Sequence, residues 1–410
     1  MPRPVRQHLL KKLHTEMSET SGPRHTPSEA MALLDDAELA RATDIHLDPL
    51  PASYRLRLRI DGMMVDAAEF DVDGGRQLVN QLKVMAGLDP LPSLLSAEGS
   101  FSASLRGKEF TLRVTAVNCF AGEKLAIRFL APPLIFEDIE GLGISGEGVG
   151  WIKKWMDATG GMLLVTGPTG SGKTTTLYTL LHRLSLGDSQ VMTLEDPVEY
   201  SIPGINQIQV DDAKGLGFYS GTLASLRLDP DYVLIGEIRD SASAQAAFGV
   251  SVSGRSVMGT LHSRDAVGAV STLRQRGLED EEIASNLGVV VAQRLVRRLC
   301  ERCRRQEPIS EHDASWLDAS GLEVPERVWV ASGCDECDGL GFRGRTGIFE
   351  VWQPTQGDHG QILRHIDEHK LRHELHARGE RLMFRDGLDK AERGVTTLGE
   401  LFRVGALLPV

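Results

Sequence analysis

The sequence lacks any run near the 18 or so consecutive apolar residues that a membrane span needs. Its basic N-terminus is not followed by an apolar signal core. These two absences predict a cytoplasmic protein. Basic side chains are in the minority, with 45 Lys and Arg against 57 Asp and Glu and a net charge of −12. That balance argues against a general role in coating polyanions, although a local basic patch could still bind nucleic acid or lipid.

Cysteine is scarce as well, with five residues in a chain of 410, which is too few for a disulfide scaffold. Disorder and a collagen-like fold are excluded, because the hydrophobic fraction of 41% is ordinary and the 43 glycines show no three-residue period. At about 100 to 200 residues per domain, the length predicts two or three globular domains.

The N-terminal part of the chain predicts a flexible arm, residues 1–25, and then a small α+β domain, residues 26–131. Thr26-Pro27-Ser28-Glu29 supplies a cap, a proline at the first helical position and a glutamate for a capping box, so a helix should follow, carrying Met31, Leu34 and Leu39. Residues 55–60 alternate arginine with aliphatic side chains, which predicts a strand with its arginines on one face.

The following region predicts a linker at residues 132–150, because two prolines and five glycines interrupt the pattern there. From Trp151 onward, short apolar strands alternate with helical segments, which predicts an α/β domain with a mainly parallel sheet over residues 151–410. The predicted strands are residues 162–166, 191–194, 232–235 and 256–261. A zinc-binding part at 294–345 and a helical C-terminal part at 359–410 are expected within this domain.

A phosphate-binding loop is the strongest motif, because the pattern G-x-x-x-x-G-K-[ST] follows an apolar strand and precedes a plausible helix. Backbone N–H groups of such a loop wrap phosphates, Lys173 neutralises the β and γ oxygens, and the Thr174 hydroxyl can ligate Mg²⁺. The sequence therefore predicts binding of ATP and Mg²⁺. The residues assigned to this site are Gly167, Pro168, Thr169, Gly170, Ser171, Gly172, Lys173, Thr174 and Thr175.

Two later strands end in acids. Glu237, after strand 232–235, is the predicted catalytic carboxylate that holds the Mg²⁺ shell or orients water; the alternative is a solvated glutamate. Glu195 ends strand 191–194, which we expect to be inserted between the other two strands, as in RecA-like motor ATPases. Glu195 would then face the nucleotide, unless it belongs to an acidic turn with Asp196-Pro197.

His262 ends the strand at 256–261 and lies at the same predicted sheet edge. A lone histidine is more often packed or merely exposed, but this position favours a sensor of the γ-phosphate.

Together these segments resemble the ATPases of bacterial type II secretion and type IV pilus assembly, from about residue 29 onward. The segments that carry the resemblance are residues 42–46, 57–62, the phosphate loop, 194–200, 236–240, 259–265 and 344–348. The resemblance implies a PAS-like N-terminal domain, a RecA-like ATPase domain and a homo-hexameric ring at the inner face of the bacterial inner membrane. It further implies that ATP hydrolysis acts on an inner-membrane platform protein to drive pilin or pseudopilin assembly, with membrane association through partners and no nucleic acid.

Some positions depart from the family pattern. Before Asp229 the chain keeps Arg227 but has Leu223 and Leu228 where the family has further polar residues, and Ser263 follows His262 in place of threonine. The extra N-terminal domain of longer members is not expected here. Arg57 and Arg59 match the family's R-x-R-I-D-G, so they are the predicted arginines supplied to the nucleotide of a neighbouring subunit; the alternative is a solvated sheet face.

Four cysteines form two Cys-x-x-Cys pairs, Cys300 with Cys303 and Cys334 with Cys337, which predict one closed, structural zinc site. Redox chemistry is the alternative. Their presence favours the secretion or assembly branch over pilus retraction. Cys119 is expected to be buried in a strand.

An arginine cluster surrounds the first cysteine pair in the sequence and could meet acidic lipid or DNA. Its members are Arg294, Arg297, Arg298, Arg302, Arg304 and Arg305. A solvated helix face or a contact with a neighbouring subunit is the preferred interpretation. Two alternatives to the motor ATPase stay open, an ATP-binding regulatory scaffold with little turnover and a DNA-translocating ATPase of the conjugation type.

Overall fold

The computed structural model describes residues 27–92, 94–130, 134–319, 322–380 and 382–405. The predicted arm at 1–25 and the cap at Thr26 lie outside these ranges. The chain divides into two compact units. The first contains the N-terminal region to residue 132 with residues 300–303 and 331–344; the second contains residues 133–299, 304–330 and 345–410. This grouping differs from the expected domain bounds, since the cysteine segments belong with the N-terminal unit.

Among its described residues, the first unit contains a six-stranded antiparallel sheet and two α-helices, with the strand order β3-β2-β1-β6-β5-β4. Its elements are α1 (Pro27–Leu39), β1 (Ala42–Pro49), β2 (Tyr54–Ile60), β3 (Met63–Phe70), α2 (Val72–Met85), β4 (Ala97–Leu105), β5 (Lys108–Cys119) and β6 (Gly122–Leu130).

Alternation along β2 decides which face of this sheet is buried. Leu56, Leu58 and Ile60 are at most 3% exposed and join one core with the helices, while the arginines between them lie on the opposite face. The predicted helix is present; Leu34 is fully buried, and Leu39 at the helix end is exposed. Cys119 is also exposed, so its predicted burial is wrong; it ends β5, where the strand leaves the core.

A buried ion pair ties α2 to the start of β6. Lys83 Nζ lies 2.8 Å from both carboxylate oxygens of Glu123 and 3.0 Å from the carbonyl oxygen of Leu91. Both partners are buried, so the pair compensates for the cost of removing each charge from water.

The second unit is a seven-stranded sheet with helices on both faces. Its first half contains α3 (Gly146–Met156), β7 (Gly161–Thr166), α4 (Lys173–Ser185), β8 (Val191–Glu195), β9 (Asn206–Gln209), α5 (Phe218–Ser225), β10 (Tyr232–Ile235), α6 (Ser241–Val252) and β11 (Ser256–Leu261). The second half contains α7 (Gly268–Gln275), α8 (Asp280–Asn286), β12 (Leu287–Leu299), β13 (Arg305–Pro308), α9 (Glu311–Ala319), β14 (Arg327–Val330), β15 (Phe342–Trp352), α10 (Gln356–Leu363), α11 (Glu368–Ala377), α12 (Met383–Glu392) and α13 (Leu398–Arg403).

The large sheet has the order β15-β12-β7-β11-β10-β8-β9, and the pairings from β12 to β9 are parallel. Along β7, Met162 and Leu164 pack into one core and Leu163 and Val165 into the other, which is why the strand reads as an unbroken apolar run. The predicted strands are confirmed. The expectation that β8 is inserted between β7 and β10 is wrong, because β11 occupies that position and β8 lies beyond β10.

Within the residues that the structure describes, no helix has both the length and the apolar character needed to cross a membrane.

Candidate active site

The phosphate loop runs from the end of β7 to the start of α4. Gly167, Gly170 and Gly172 have positive φ angles of 149°, 77° and 92°, a conformation that other residues rarely adopt. α4 begins at Lys173, and Thr174 and Thr175 follow it in the first turn. The loop therefore has the backbone conformation and the helix N-terminus that a phosphate cradle requires.

Close packing explains why the first residue of the loop, Gly167, has no room for a side chain. A Cβ added at Gly167 would come within 2.5 Å of the carbonyl oxygen of Gln293, on the neighbouring strand β12. The Gln293 side chain donates from Nε2 to the carbonyl oxygen of Ser171 at 2.8 Å and accepts from Thr176 Oγ1 at 2.8 Å. Gln293 thus supports the loop, a role that the sequence analysis missed. Its signal was a polar pair, Gln293-Arg294, directly after the apolar run of residues 289–292.

Two polar side chains of the loop point to an anionic ligand. Lys173 Nζ donates to the carbonyl oxygens of Gly167 at 2.8 Å and Pro168 at 3.3 Å. Burial lowers the pKa of Lys173, the charge of Glu237 opposes this, and Arg294 lowers the pKa further. The hydroxyl of Ser171 is buried and has no hydrogen-bond partner among the residues that the structure describes. The loop residues therefore fit a nucleotide phosphate, which would accept from these groups.

Glu237 and His262 lie together, as predicted from the strand ends. His262 Nε2 is 3.3 Å from Glu237 Oε1, and the two side chains are 46% and 42% exposed. The histidine segment is anchored to the phosphate-loop strand, because the backbone N–H of Ser263 donates to Thr166 Oγ1 at 2.8 Å and the two hydroxyls lie 2.7 Å apart. Serine thus makes the anchoring contact at this altered family position.

Glu195 occupies a different environment. It is 5% exposed, and its carboxylate accepts from Tyr178 Oη at 2.5 Å, Thr193 Oγ1 at 2.6 Å and Gln207 Nε2 at 3.0 Å. A Cβ added at Gly236, next to Glu237, would lie 3.4 Å from Glu195 Cα, so the ends of β8 and β10 are adjacent. The predicted contact of Glu195 with nucleotide stays a prediction.

Arg57 and Arg59 lie on β2 in the first unit, each beside an aspartate of β1. Arg57 Nε is 2.5 Å from Asp48, and Arg59 Nε is 3.4 Å from Asp44. Both side chains keep about a third of their surface exposed, at 33% and 38%. They are therefore held in position on the sheet face while remaining accessible, and their action on a neighbour's nucleotide stays a prediction.

The four cysteines converge. The sulfur atoms of Cys300, Cys303, Cys334 and Cys337 all lie within 4.8 Å of one another, and three of the separations are 3.7 to 3.8 Å. Four sulfurs at about 2.3 Å from a tetrahedral zinc are spaced by about 3.8 Å, so the donor set fits the metal. Backbone N–H groups of Cys334 and Gly341 donate to the Cys337 sulfur, each at 3.2 Å.

The arginine cluster beside the cysteines has partners within the chain. Arg297 bonds Glu400 at 2.7 Å, Arg305 bonds Glu307 at 2.6 Å, and Arg304 stacks on a tryptophan ring. The interpretation of a solvated helix face is wrong, because residues 294–298 lie in β12. Burial opposes ionisation of Glu400, but hydrogen bonds from Arg403 and Arg297 outweigh it and lower the pKa to about 2.

Comparisons with known proteins agree with this geometry. Residues 23–403 match the family model for type II/IV secretion system proteins. A protein transport protein HofB homolog of Escherichia coli is 38% identical, covering 93% of this chain and 82% of that protein. The type II secretion system ATPase E of Vibrio cholerae is 37% identical, with coverage of 91% and 74%. The type IV pilus assembly ATPase PilB of Myxococcus xanthus is 36% identical over 90% of this chain and 66% of its own length.

Solved structures show the same fold at low sequence identity. The Legionella pneumophila ATPase DotB has a TM-score of 0.67 and 18% identity, covering 95% of this chain and 98% of that chain. The pilus retraction motor PilT with bound ADP has a TM-score of 0.58 and 20% identity, with coverage of 91% and 96%. The predicted α/β ATPase fold is confirmed, and the chain belongs to the family of type II/IV secretion system proteins, whose named relatives include ATPases of type II secretion and of type IV pilus assembly.

Proposed function

We propose that this protein is a hexameric motor ATPase that hydrolyses ATP to drive pilin or pseudopilin assembly in a type II secretion or type IV pilus system. The observation that supports this most is the meeting of Glu237 and His262, 3.3 Å apart, beyond strands β10 and β11, with the charge of Glu237 acting on Lys173. Family membership and relatives named as ATPases support it independently.

The residues divide the work of hydrolysis between them. The phosphate loop binds the triphosphate, and Lys173, partly shielded from water, supplies positive charge to the β and γ oxygens. Thr174 would ligate Mg²⁺, which when bound neutralises charge on the phosphates. Glu237 orients the attacking water, and His262, fixed beside it, contacts the γ-phosphate. Glu195, whose carboxylate already accepts three hydrogen bonds, is assigned no step in hydrolysis.

The architecture of each unit supports its assignment to a domain type. We assign the second unit as a RecA-like domain, because β11 is inserted between the phosphate-loop strand and the strand before Glu237. We assign the first unit as PAS-like on its antiparallel sheet and helices. The cysteine cluster is a structural zinc site, because four sulfurs leave no open ligand position.

The proposed partners rest on the family to which the chain belongs and not on contacts seen in the structure. We propose a homo-hexamer that works at the inner face of the bacterial inner membrane through a platform protein. Arg57 and Arg59 would act on the nucleotide of the adjacent subunit. Their partial exposure supports this role, because an arginine fully enclosed by aspartates could not reach a phosphate.

The direct test is steady-state phosphate release by the purified chain with Mg²⁺ and ATP, with and without double-stranded DNA. The Lys173→Ala variant is the matched control for contaminating activity. Turnover that needs Lys173 and does not respond to DNA is expected. ATP binding without turnover would favour the regulatory scaffold, and strong stimulation by DNA would favour the translocating motor.

A further inference from the structure

A buried arginine lies next to Gln293, the residue that supports the phosphate loop. Arg294 follows Gln293 on β12 and is 9% exposed. Its Nη1 donates to the carbonyl oxygen of Gln293 at 3.0 Å, and its Nη2 donates to the carbonyl oxygen of Arg264. The first carbonyl lies close to Gly167, since a Cβ added at Gly167 would come within 2.5 Å of it. The second belongs to the segment that carries His262, two residues earlier. One guanidinium therefore connects the base of the loop to the histidine segment.

The positive charge of Arg294 interacts with carboxylates only through space, without a hydrogen bond to any of them among the described residues. In the part of the chain that the structure describes, its hydrogen bonds go to these carbonyl oxygens and to no carboxylate. Asp265 and Glu350 act on it electrostatically, but Asp265 is bonded to Arg372 at 2.7 Å, and Glu350 accepts from the backbone N–H groups of Ala266 and Met383.

Keeping a buried cation without a paired anion costs free energy. Such a group persists where a ligand supplies the missing charge, and this one lies close enough to Lys173 to lower the pKa of that amine. A nucleotide bound in the loop would bring several negative charges close to Lys173 and Arg294. The charge of a bound nucleotide would therefore offset part of the cost of burying Arg294.

We propose that Arg294 is a positioning residue of the ATPase, whose guanidinium fixes the His262 segment against the phosphate loop and adds a second positive charge to the phosphate site. This inference rests on the proposed function. Arginine is required because its planar fork can donate to two diverging carbonyls at once, whereas a lysine ammonium on a flexible stem holds the charge without the fixed geometry.

The test compares Arg294→Lys and Arg294→Met with the wild type, with Arg305→Lys, an exposed arginine paired to Glu307, as the control. Three quantities are measured: the Kd of MgADP by calorimetry, kcat and KM for ATP, and hydrogen exchange of the Ser263 and Ala266 amides, both bonded in the structure. Arg294→Lys should keep the Kd within about threefold but lower kcat about tenfold or more and speed exchange at both amides. Arg294→Met should also weaken MgADP binding about tenfold or more.

Wild-type kcat in Arg294→Lys, or unchanged exchange at Ser263 and Ala266, would overturn the inference. If Arg294→Met does not fold, Arg294→Lys carries the test alone. Hydrogen exchange needs no turnover, so an inactive wild type would refute the proposed function while the connection through Arg294 is still measured.

Discussion

The hydrogen bond between Tyr178 and Glu195 permits a sharp test of how the end of β8 is held. Tyr178 Oη, on the helix that follows the phosphate loop, donates to Glu195 at 2.5 Å, and the two residues are 2% and 5% exposed. Burial, together with the hydrogen bond to Glu195, raises the pKa of Tyr178, so the phenol stays protonated and remains the donor. Tyr178→Phe removes this one hydroxyl and keeps the ring.

The magnitude follows from the chemistry of the bond. A hydrogen bond to a charged group contributes about 1.5 to 3 kcal/mol. For a domain of about 150 to 250 residues, each kcal/mol changes Tm by about 2 to 4 °C, so Tyr178→Phe should lower Tm by about 3 to 12 °C. The control is Tyr219→Phe, since Tyr219 is 49% exposed and its loss of hydroxyl should change stability by less than about 0.5 kcal/mol.

The assay is calorimetric unfolding of both variants without nucleotide at one scan rate, followed by kcat at 25 °C. The value of kcat should stay within about twofold of the wild type, because the lost bond holds β8 and not Glu237. An unchanged Tm would refute the buried hydrogen bond. A tenfold loss of kcat in the folded variant would instead show that Glu195 acts at the nucleotide, as the sequence predicts.

Three further predictions concern the phosphate site, the cysteine cluster and the arginine strand. Lys173→Ala should abolish ATP binding, whereas Glu237→Gln should bind ATP normally and lose turnover, because only the lysine faces the ground-state phosphates; normal hydrolysis by Glu237→Gln would refute the assignment. The reduced protein should hold one zinc per chain by metal analysis, and Cys334→Ser should lose it and destabilise the first unit without changing ATP affinity; a metal-free wild type would contradict this. Glu237→Gln subunits mixed with Arg57→Ala/Arg59→Ala subunits should recover hydrolysis by phosphate release, and no recovery in hexamers confirmed as mixed would exclude action between subunits.

The prediction for Cys334 differs from the sequence-based expectation in where the damage should appear. The sequence predicts that the cysteines lie inside the ATPase domain, because residues 294–345 fall within its predicted range of 151–410. In the structure, residues 300–303 and 331–344 group with the N-terminal unit, and Leu340 packs against its core. The backbone N–H of Gly344 also donates to Asp61 at 2.9 Å, which joins two motifs separated by most of the sequence.

The local sequence pattern was enough to predict the strands of the parallel sheet, the phosphate loop and the two Cys-x-x-Cys pairs. The loop follows from glycines that must adopt positive φ angles before a helix N-terminus, and β7 follows from its apolar run. Glu237 and His262 could be placed together because parallel strands present their carboxyl ends at one sheet edge. These inferences needed only residue type, spacing and the direction of the chain.

Lateral strand order and long-range hydrogen bonds were decided only by the tertiary structure. Periodicity does not state which parallel strands are neighbours, so the insertion of β11 rather than β8 could not be read from the sequence. The hydrogen bonds of Glu195 to Tyr178, of Gln293 to the loop and of Arg294 to Arg264 join segments up to 122 residues apart. Such contacts depend on how the helices and strands pack around a shared core, and no single stretch of sequence contains that information.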